Sequence, residues 1–228
     1  MASSHTDRAY EADLERLREG LLVVGSKVAD AVVDAMRALR DRDAARATRV
    51  IEGDREVNRR ELDIDELCLR ILALRQPAAS DLRFIAAALK TVTDLERIGD
   101  CAAHIAARAR ALAAEPATQL PPELARMTEV AESMVHDAID ALVHRDAAKA
   151  ESVMKQDDEI DALHATFVAH LTAQMLPPSA DIPTLLRLQS VAKYLERVGD
   201  HATNVGEMAI FAARGEDVRH PGSRLGNL

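Results

Sequence analysis

Glu96 and Asp100 stand four residues apart, and Glu196 and Asp200 repeat the pair at an offset of 100 residues. The segments are Asp94-Leu95-Glu96-Arg97-Ile98-Gly99-Asp100 and Tyr194-Leu195-Glu196-Arg197-Val198-Gly199-Asp200. A further donor follows each Glu at i+8, His104 in the first copy and Asn204 in the second. In a helix of about 3.6 residues per turn these positions stack along one face. Carboxylates so placed repel each other unless something positive lies among them. A second polar set precedes each pair: Asp54 with Asn58, and Asp157 with Asp161. If the helices carrying these sets are antiparallel neighbours, four oxygen-rich side chains meet. A divalent or trivalent cation makes such a gathering tolerable, and carboxylates with Asn or His donors suit Mg, Mn, Fe or Zn. No paired thiols point to a structural Cys zinc site. The first set is the less anionic, because Asn58 stands where the second half has Asp161.

Acids at i, i+4 ordinarily occupy a solvated face and pair with Arg or Lys at little cost. Three features set these apart. The pattern recurs in register in two halves. Glu96 and Glu196 fall on or beside an apolar seam, where an unpaired carboxylate is costly. Each copy also carries a mid-helix glycine, Gly99 or Gly199, at a cost of about 1 kcal/mol relative to Ala. Paired glycines imply that a neighbouring helix or a bound group comes close. Arg97 and Arg197 each lie one residue round from the Glu, pointing roughly 100° away on the helix.

The elements that must position these groups are helices. The first is expected from about Asp7 to Arg40, with a seam of Leu14, Leu17, Leu21, Val24, Val28, Ala31 and Ala35 at steps of three and four. The second is expected over 44–74, marked by Val50, Val57, Ile64 and Ile71 and widened by Leu67 and Leu74. Gln76-Pro77 stops it. Ser80 is expected to cap the third helix, with Asp81 in its first turn. That helix carries Leu82, Ile85, Leu89 and Val92 on the seam and ends before Pro116. The segment 115–122 holds three prolines and reads as a linker. Beyond it the pattern restarts. A fourth helix is marked by Leu124, Met127, Ala131, Met134 and Ala138, and a fifth by Val153, Ile160, Phe167 and Leu171. A sixth begins near Asp181 with Leu185, Leu188, Ala192, Leu195 and Ala202, and ends at Gly215, a natural C-cap. No strand-like alternation appears. The expected fold is all-α: two tandem three-helix bundles, six long helices related by internal duplication, over 1–114 and 123–215, with a loose tail over 216–228.

Composition narrows the function. A net charge of −9 disfavours nonspecific nucleic-acid binding. Aromatics make up 2% of the chain and Trp is absent, so the cores must be aliphatic. The uncharged run 162–180 is too polar, and too broken by Pro177-Pro178, to span a bilayer. Met1-Ala2-Ser3-Ser4-His5-Thr6 lacks a basic start followed by an apolar run, so no secretory signal is expected. Cys68 and Cys101 read as buried free thiols of a cytoplasmic protein. A di-metal carboxylate enzyme of the ferritin-like kind would want Glu-x-x-His motifs, and the chain has none. Nor does it carry Gly-x-x-x-x-Gly-Lys or His-Glu-x-x-His. Basic residues interleaved with acids give no phosphate cradle. A metal-bearing adaptor with protein partners, such an enzyme, and a plain helical interaction protein are the readings to weigh.

The segments Val50-Ile51-Glu52-Gly53-Asp54, Arg75-Gln76-Pro77-Ala78-Ala79-Ser80-Asp81-Leu82-Arg83 and the two Glu-Arg-x-Gly-Asp stretches together resemble the PhoU family, as does Gly215-Glu216-Asp217-Val218-Arg219-His220. The resemblance spans nearly the whole chain. It implies two three-helix bundles with multinuclear metal clusters on their surfaces. The implied ligands are Asp54, Glu96 and Asp100 in the first half, with Asn58 and His104 at the positions that depart from the acidic pattern. In the second half they are Asp157, Asp161, Glu196, Asp200 and Asn204. It further implies a cytoplasmic, often dimeric regulator of phosphate uptake. Such proteins restrain the sensor histidine kinase of the phosphate regulon and act on the ATPase subunit of the phosphate ABC transporter. They reach the membrane only through these partners.

Overall fold

A computed structural model describes residues 2–218, with side chains described from Arg8 onward. Six helices form it: α1 (Ala2–Asp41), α2 (Ala44–Arg75), α3 (Ala79–Ala113), α4 (Pro122–His144), α5 (Ala147–Met175) and α6 (Ile182–Arg214). No strand occurs among the described residues. Of the segment expected to be loose, only Glu216–Val218 falls among them, and Arg219 and His220 lie outside. α1 begins earlier than the seam alone suggests, since the polar residues before Asp7 continue the helix.

The helix starts show the duplication in the backbone. Asp43 caps α2, its carboxylate accepting from the Arg46 N–H at 2.8 Å. Asp146 caps α5 in the same way, accepting from Ala148 and Lys149 at 3.0 Å. The residue before each cap, Arg42 or Arg145, takes a left-handed φ of 55° that lets the chain reverse between helices. Ser80 does not cap α3. The N-cap is Ala78, without a side-chain bond, so Ser80 sits inside the first turn. Asp81 lies in that turn as expected. Gly215 closes α6 at φ 76°, its N–H bonded to the Phe211 carbonyl at 2.8 Å.

Within each half the three helices pack pairwise, and the halves then join through α3 against α6 and α1 against α4. α3 and α6 run antiparallel. Gly215 at the end of α6 adjoins Arg83 at the start of α3, and Thr184 at the start of α6 bonds Glu115 just past the end of α3. α1 meets α4 so closely that a methyl on Gly25 would stand 2.8 Å from Ile139 Cγ1. The buried aliphatic residues form one cluster through both halves. The three-proline segment therefore joins two bundles that share a core. Arg187 and Thr184 both bind the Glu115 carboxylate there.

At the opposite end the bundles are latched by charge. The Arg145 guanidinium, from the second half, donates to Asp81 Oδ1 at 2.9 Å, and Tyr10 donates to Asp81 Oδ2 at 2.9 Å. Arg145 and Arg18 also stack over the buried Phe84 ring, at 5.3 and 5.7 Å from its centroid. Burial alone would raise the Asp81 pKa, but Arg145 and Tyr10 outweigh it and hold the carboxyl below its ordinary range. A carboxyl depressed in the fold contributes stability that is full above the ordinary range and is lost as pH falls through the folded value. Asp81→Asn is therefore expected to cost about 2 kcal/mol at neutral pH, as for a charge-assisted hydrogen bond. The deficit should shrink on acidification through the carboxylate range, as read by urea unfolding against pH.

Candidate metal centre

In the first half, the acidic pair on α3 faces Asp54 on α2 across Gly99. A methyl on Gly99 would stand 3.2 Å from Asp54 Oδ1 and 3.3 Å from Val57 Cγ1. The glycine thus serves close approach between helices, as its place in the sequence implies. Asn58 Nδ2 donates to Asp54 Oδ2 at 3.3 Å. Asp54 Oδ1 and Asn58 Oδ1 are buried without a hydrogen-bond partner. Burial pushes the Asp54 carboxyl up, and the charge of Asp100 pushes further. Glu96 is raised in the same way, by burial and then by Asp100, with Arg97 opposing. Arg97 does reach these acids, contrary to the direction of its Cα–Cβ bond. Its Nη1 donates to Asp100 Oδ2 at 3.0 Å, and its Nε lies 3.3 Å from Glu96 Oε2. The long side chain bends back along the surface, where i, i+3 partners are within range. A groove of about 320 Å³ opens beside Asp54 and Gly99, with Asp30, Asp34 and Glu56 in its walls.

The second half repeats the plan with different cations. A methyl on Gly199 would stand 3.0 Å from Ile160 Cγ2 and 3.5 Å from Asp157 Oδ1. Asp157 Oδ1 and Gln156 Oε1 are buried and unpartnered. The Asp157 carboxyl is raised by burial, then by the charges of Asp161 and Asp200. Asp200 is raised by burial and then by Glu196, opposed by Lys193. Lys193 Nζ sits 2.6 and 2.5 Å from the two Glu196 oxygens. Asp161 and Asp200 form no ion pair among the described residues.

The i+8 donors make contacts between the bundles, although His104 stays near enough to Asp54 to act on its carboxyl. Asn204 Nδ2 donates to Asp94 Oδ1 at 3.0 Å, and His201 Nδ1 lies 2.8 Å from the same oxygen. At the pseudo-symmetric place, His104 stacks on Tyr194 with centroids 4.9 Å apart, and Arg108 lies over the same tyrosine ring at 5.5 Å. Asp94 and Tyr194 are themselves counterparts at the offset of 100 residues. The partnership of Asp94 carries no sequence signal, because it depends on the antiparallel register of α3 and α6. Lys193 could have been read from its i, i+3 spacing to Glu196.

Among the described residues, no three His, Cys, Asp or Glu side chains converge closely enough to hold one ion. The donor chemistry nevertheless fits a hard cation. Asp54, Asn58 and Asp157 each bury an oxygen without a partner. Four carboxyls, Asp54, Glu96, Asp157 and Asp200, are held above their ordinary range by burial and by the neighbouring acids, chiefly Asp100, Asp161 and Glu196. Cys68 and Cys101 offer no competing thiolate. Both are buried and free, and burial pushes their thiols up to about 12 and about 11.

An internally duplicated six-helix protein, with one oxygen-rich cluster per half at the junction of its second and third helices, is the class that fold and site define. The PhoU domain model matches residues 21–109 and 124–209. A Pseudomonas putida protein named phosphate-specific transport system accessory protein PhoU homolog is 42% identical, covering 96% of this chain and 86% of its own. The crystal structure of PhoU from Pseudomonas aeruginosa superposes with a TM-score of 0.84 at 42% identity, covering 91% of this chain and 100% of its own. That of the phosphate transport system regulatory protein PhoU from Streptococcus pneumoniae gives 0.85 at 28%, covering 92% and 99%. The chain belongs to the PhoU family.

A carboxyl raised in the fold costs stability while ionised, and that cost disappears as pH falls through the raised value towards the ordinary range. Asp157→Asn is expected to raise the urea midpoint at neutral pH in the presence of a chelator. The gain should vanish as pH falls through the raised value of the wild-type carboxyl into the ordinary carboxylate range. A variant midpoint at or below wild type at neutral pH would show that Asp157 is not under charge strain.

Proposed function

We propose that this chain is a metal-binding regulator of phosphate uptake and phosphate-starvation signalling. It acts as a cytoplasmic adaptor without turnover of its own, restraining the phosphate-responsive sensor histidine kinase and acting on the ATPase subunit of the phosphate ABC transporter as a homodimer. Membership of the PhoU family along both bundles carries this reading. The names of the relatives tie those proteins to the phosphate-specific transport system. No helix among the described residues is long and apolar enough to cross a membrane, which suits contact with the membrane through partners.

Divalent or trivalent metal ions are the cofactors this reading calls for. Asp54, Asn58, Glu96 and Asp100 would hold metal in the first half, and Asp157, Asp161, Glu196 and Asp200 in the second. The metal supplies the positive charge that relieves the mutual repulsion of these carboxylates. The protein's own part is to hold the oxygens at the helix junctions and to keep their surroundings half dry. His104 and Asn204 have structural partners across the seam, so their part in any ligand set is secondary to those bonds.

Metal analysis of the purified protein is expected to show bound transition metal or Mg. Glu196→Ala with Asp200→Ala should empty the second site and leave the first filled. Metal content equal to wild type in that double variant would remove both residues from the ligand set. Pull-down with the transporter ATPase and with the sensor kinase tests the adaptor role. Retention of neither partner, or turnover of phosphoester or redox substrates, would contradict it.

A further inference from the structure

We propose that Lys193 is a tethered counter-cation that competes with metal for the second cluster, and that Arg97 plays the same part in the first. This rests on the metal-binding reading above. Lys193 Nζ covers both oxygens of Glu196, at 2.6 and 2.5 Å. An ammonium in that position and a metal on the same carboxylate exclude each other by charge and by space. The pair is also asymmetric: the Glu196 side chain is 14% exposed, whereas that of Lys193 is 53% exposed. The carboxylate is held by packing, and the ammonium is free to swing into solvent. A pair of this exposure is weak enough for a doubly charged ion to displace it.

Comparison of the halves argues that this is more than a surface ion pair. At the offset of 100 residues Lys193 corresponds to Thr93, so the first half has no such lysine. Arg97 corresponds to Arg197, which makes no ion pair among the described residues, yet Arg97 spans both Glu96 and Asp100. Each cluster has thus drawn one cation from a different sequence position to the same carboxylates. What the two halves share is a tethered positive charge on the repeated Glu, not the residue that supplies it. The guards also differ in grip. Arg97 holds two carboxylates at once, and Lys193 holds one. Among the described residues Asp157, Asp161 and Asp200 make no ion pair, so Lys193 is the cation seated on this set of acids.

The test is calorimetric titration of the full chain with Mn²⁺ after chelator treatment. Working in a Glu96→Ala/Asp100→Ala background isolates the second cluster. Lys193→Thr there is expected to tighten Mn²⁺ binding by about three- to tenfold, the scale of a single exposed ion pair to a single nearby charge. Thr93→Lys, with the second cluster removed by Glu196→Ala/Asp200→Ala, should weaken the first by a similar factor. In chelator, Lys193→Thr should also lower the urea midpoint, because Glu196 loses its neutralising partner. Lys90→Thr removes the same charge elsewhere and should leave Mn²⁺ affinity unchanged. Equal affinity in Lys193→Thr and its parent, with Mn²⁺ bound by both, overturns the competition and leaves the metal reading intact. Equal tightening by Lys90→Thr also overturns it, in favour of diffuse net charge. No Mn²⁺ binding by any variant or by the wild type removes the metal reading, and the competition with it.

Discussion

Like charges are packed where helices touch, and the rest of the structure is arranged around that constraint. Asp54 and Asp157 reach into the helix junctions from α2 and α5, towards Glu96, Asp100, Glu196 and Asp200 on α3 and α6. The approach is possible because Gly99 and Gly199 put no side chain in the way. Each glycine gives up about 1 kcal/mol of helix propensity. Each half-buried carboxylate adds a desolvation cost that no hydrogen bond to Oδ1 repays. A chain selected only for stability would remove both costs with two substitutions per half, one at the glycine and one at the aspartate facing it. That both halves keep them argues for a role in holding cations.

The two bundles meet along the helices that carry the acids. Asp94 binds His201 and Asn204 across the seam, one turn from the clusters, and His104 stacks on Tyr194 at the mirrored place. The helices that carry the acids, α3 and α6, therefore also carry the polar contacts between the halves. The Asp81–Arg145–Tyr10 latch and the Glu115–Arg187–Thr184 contact secure the two ends of that interface. Duplication supplied the frame, and the two copies then diverged in the side chains that bind across it.

Much of this was legible in the sequence, for reasons of period. The seams of α4, α5 and α6 are buried at every position the spacing marks, because each of those helices presents one face to one core. Asp181 and Gly215 mark the ends of α6 through cap chemistry that is local. The misses arise where the answer depends on tertiary contact. Leu74 and Leu82 fit their seams but stand 68% and 46% exposed; both lie in the terminal turns of their helices, where periodicity alone does not fix which side is covered. Ser80 has the chemistry of a cap, yet the N-cap falls two residues earlier, at Ala78, where its side chain cannot serve. The Cα direction of Arg97 points away from Glu96, but a side chain with four rotatable bonds bends back to reach it. Facing of Asp54 to Gly99 followed from antiparallel packing, whereas the bond from Asn204 to Asp94 required the register between bundles, which no local pattern encodes.

Diffraction measured across the Mn, Fe and Zn absorption edges, from crystals grown with those ions, addresses the central claim most directly. Anomalous peaks at the α2–α3 junction between Asp54 and the Glu96–Asp100 pair, and at the α5–α6 junction between Asp157 and the Glu196–Asp200 pair, are the result this account predicts. Clean maps at both junctions, with Arg97 and Lys193 still seated on their carboxylates, would contradict it.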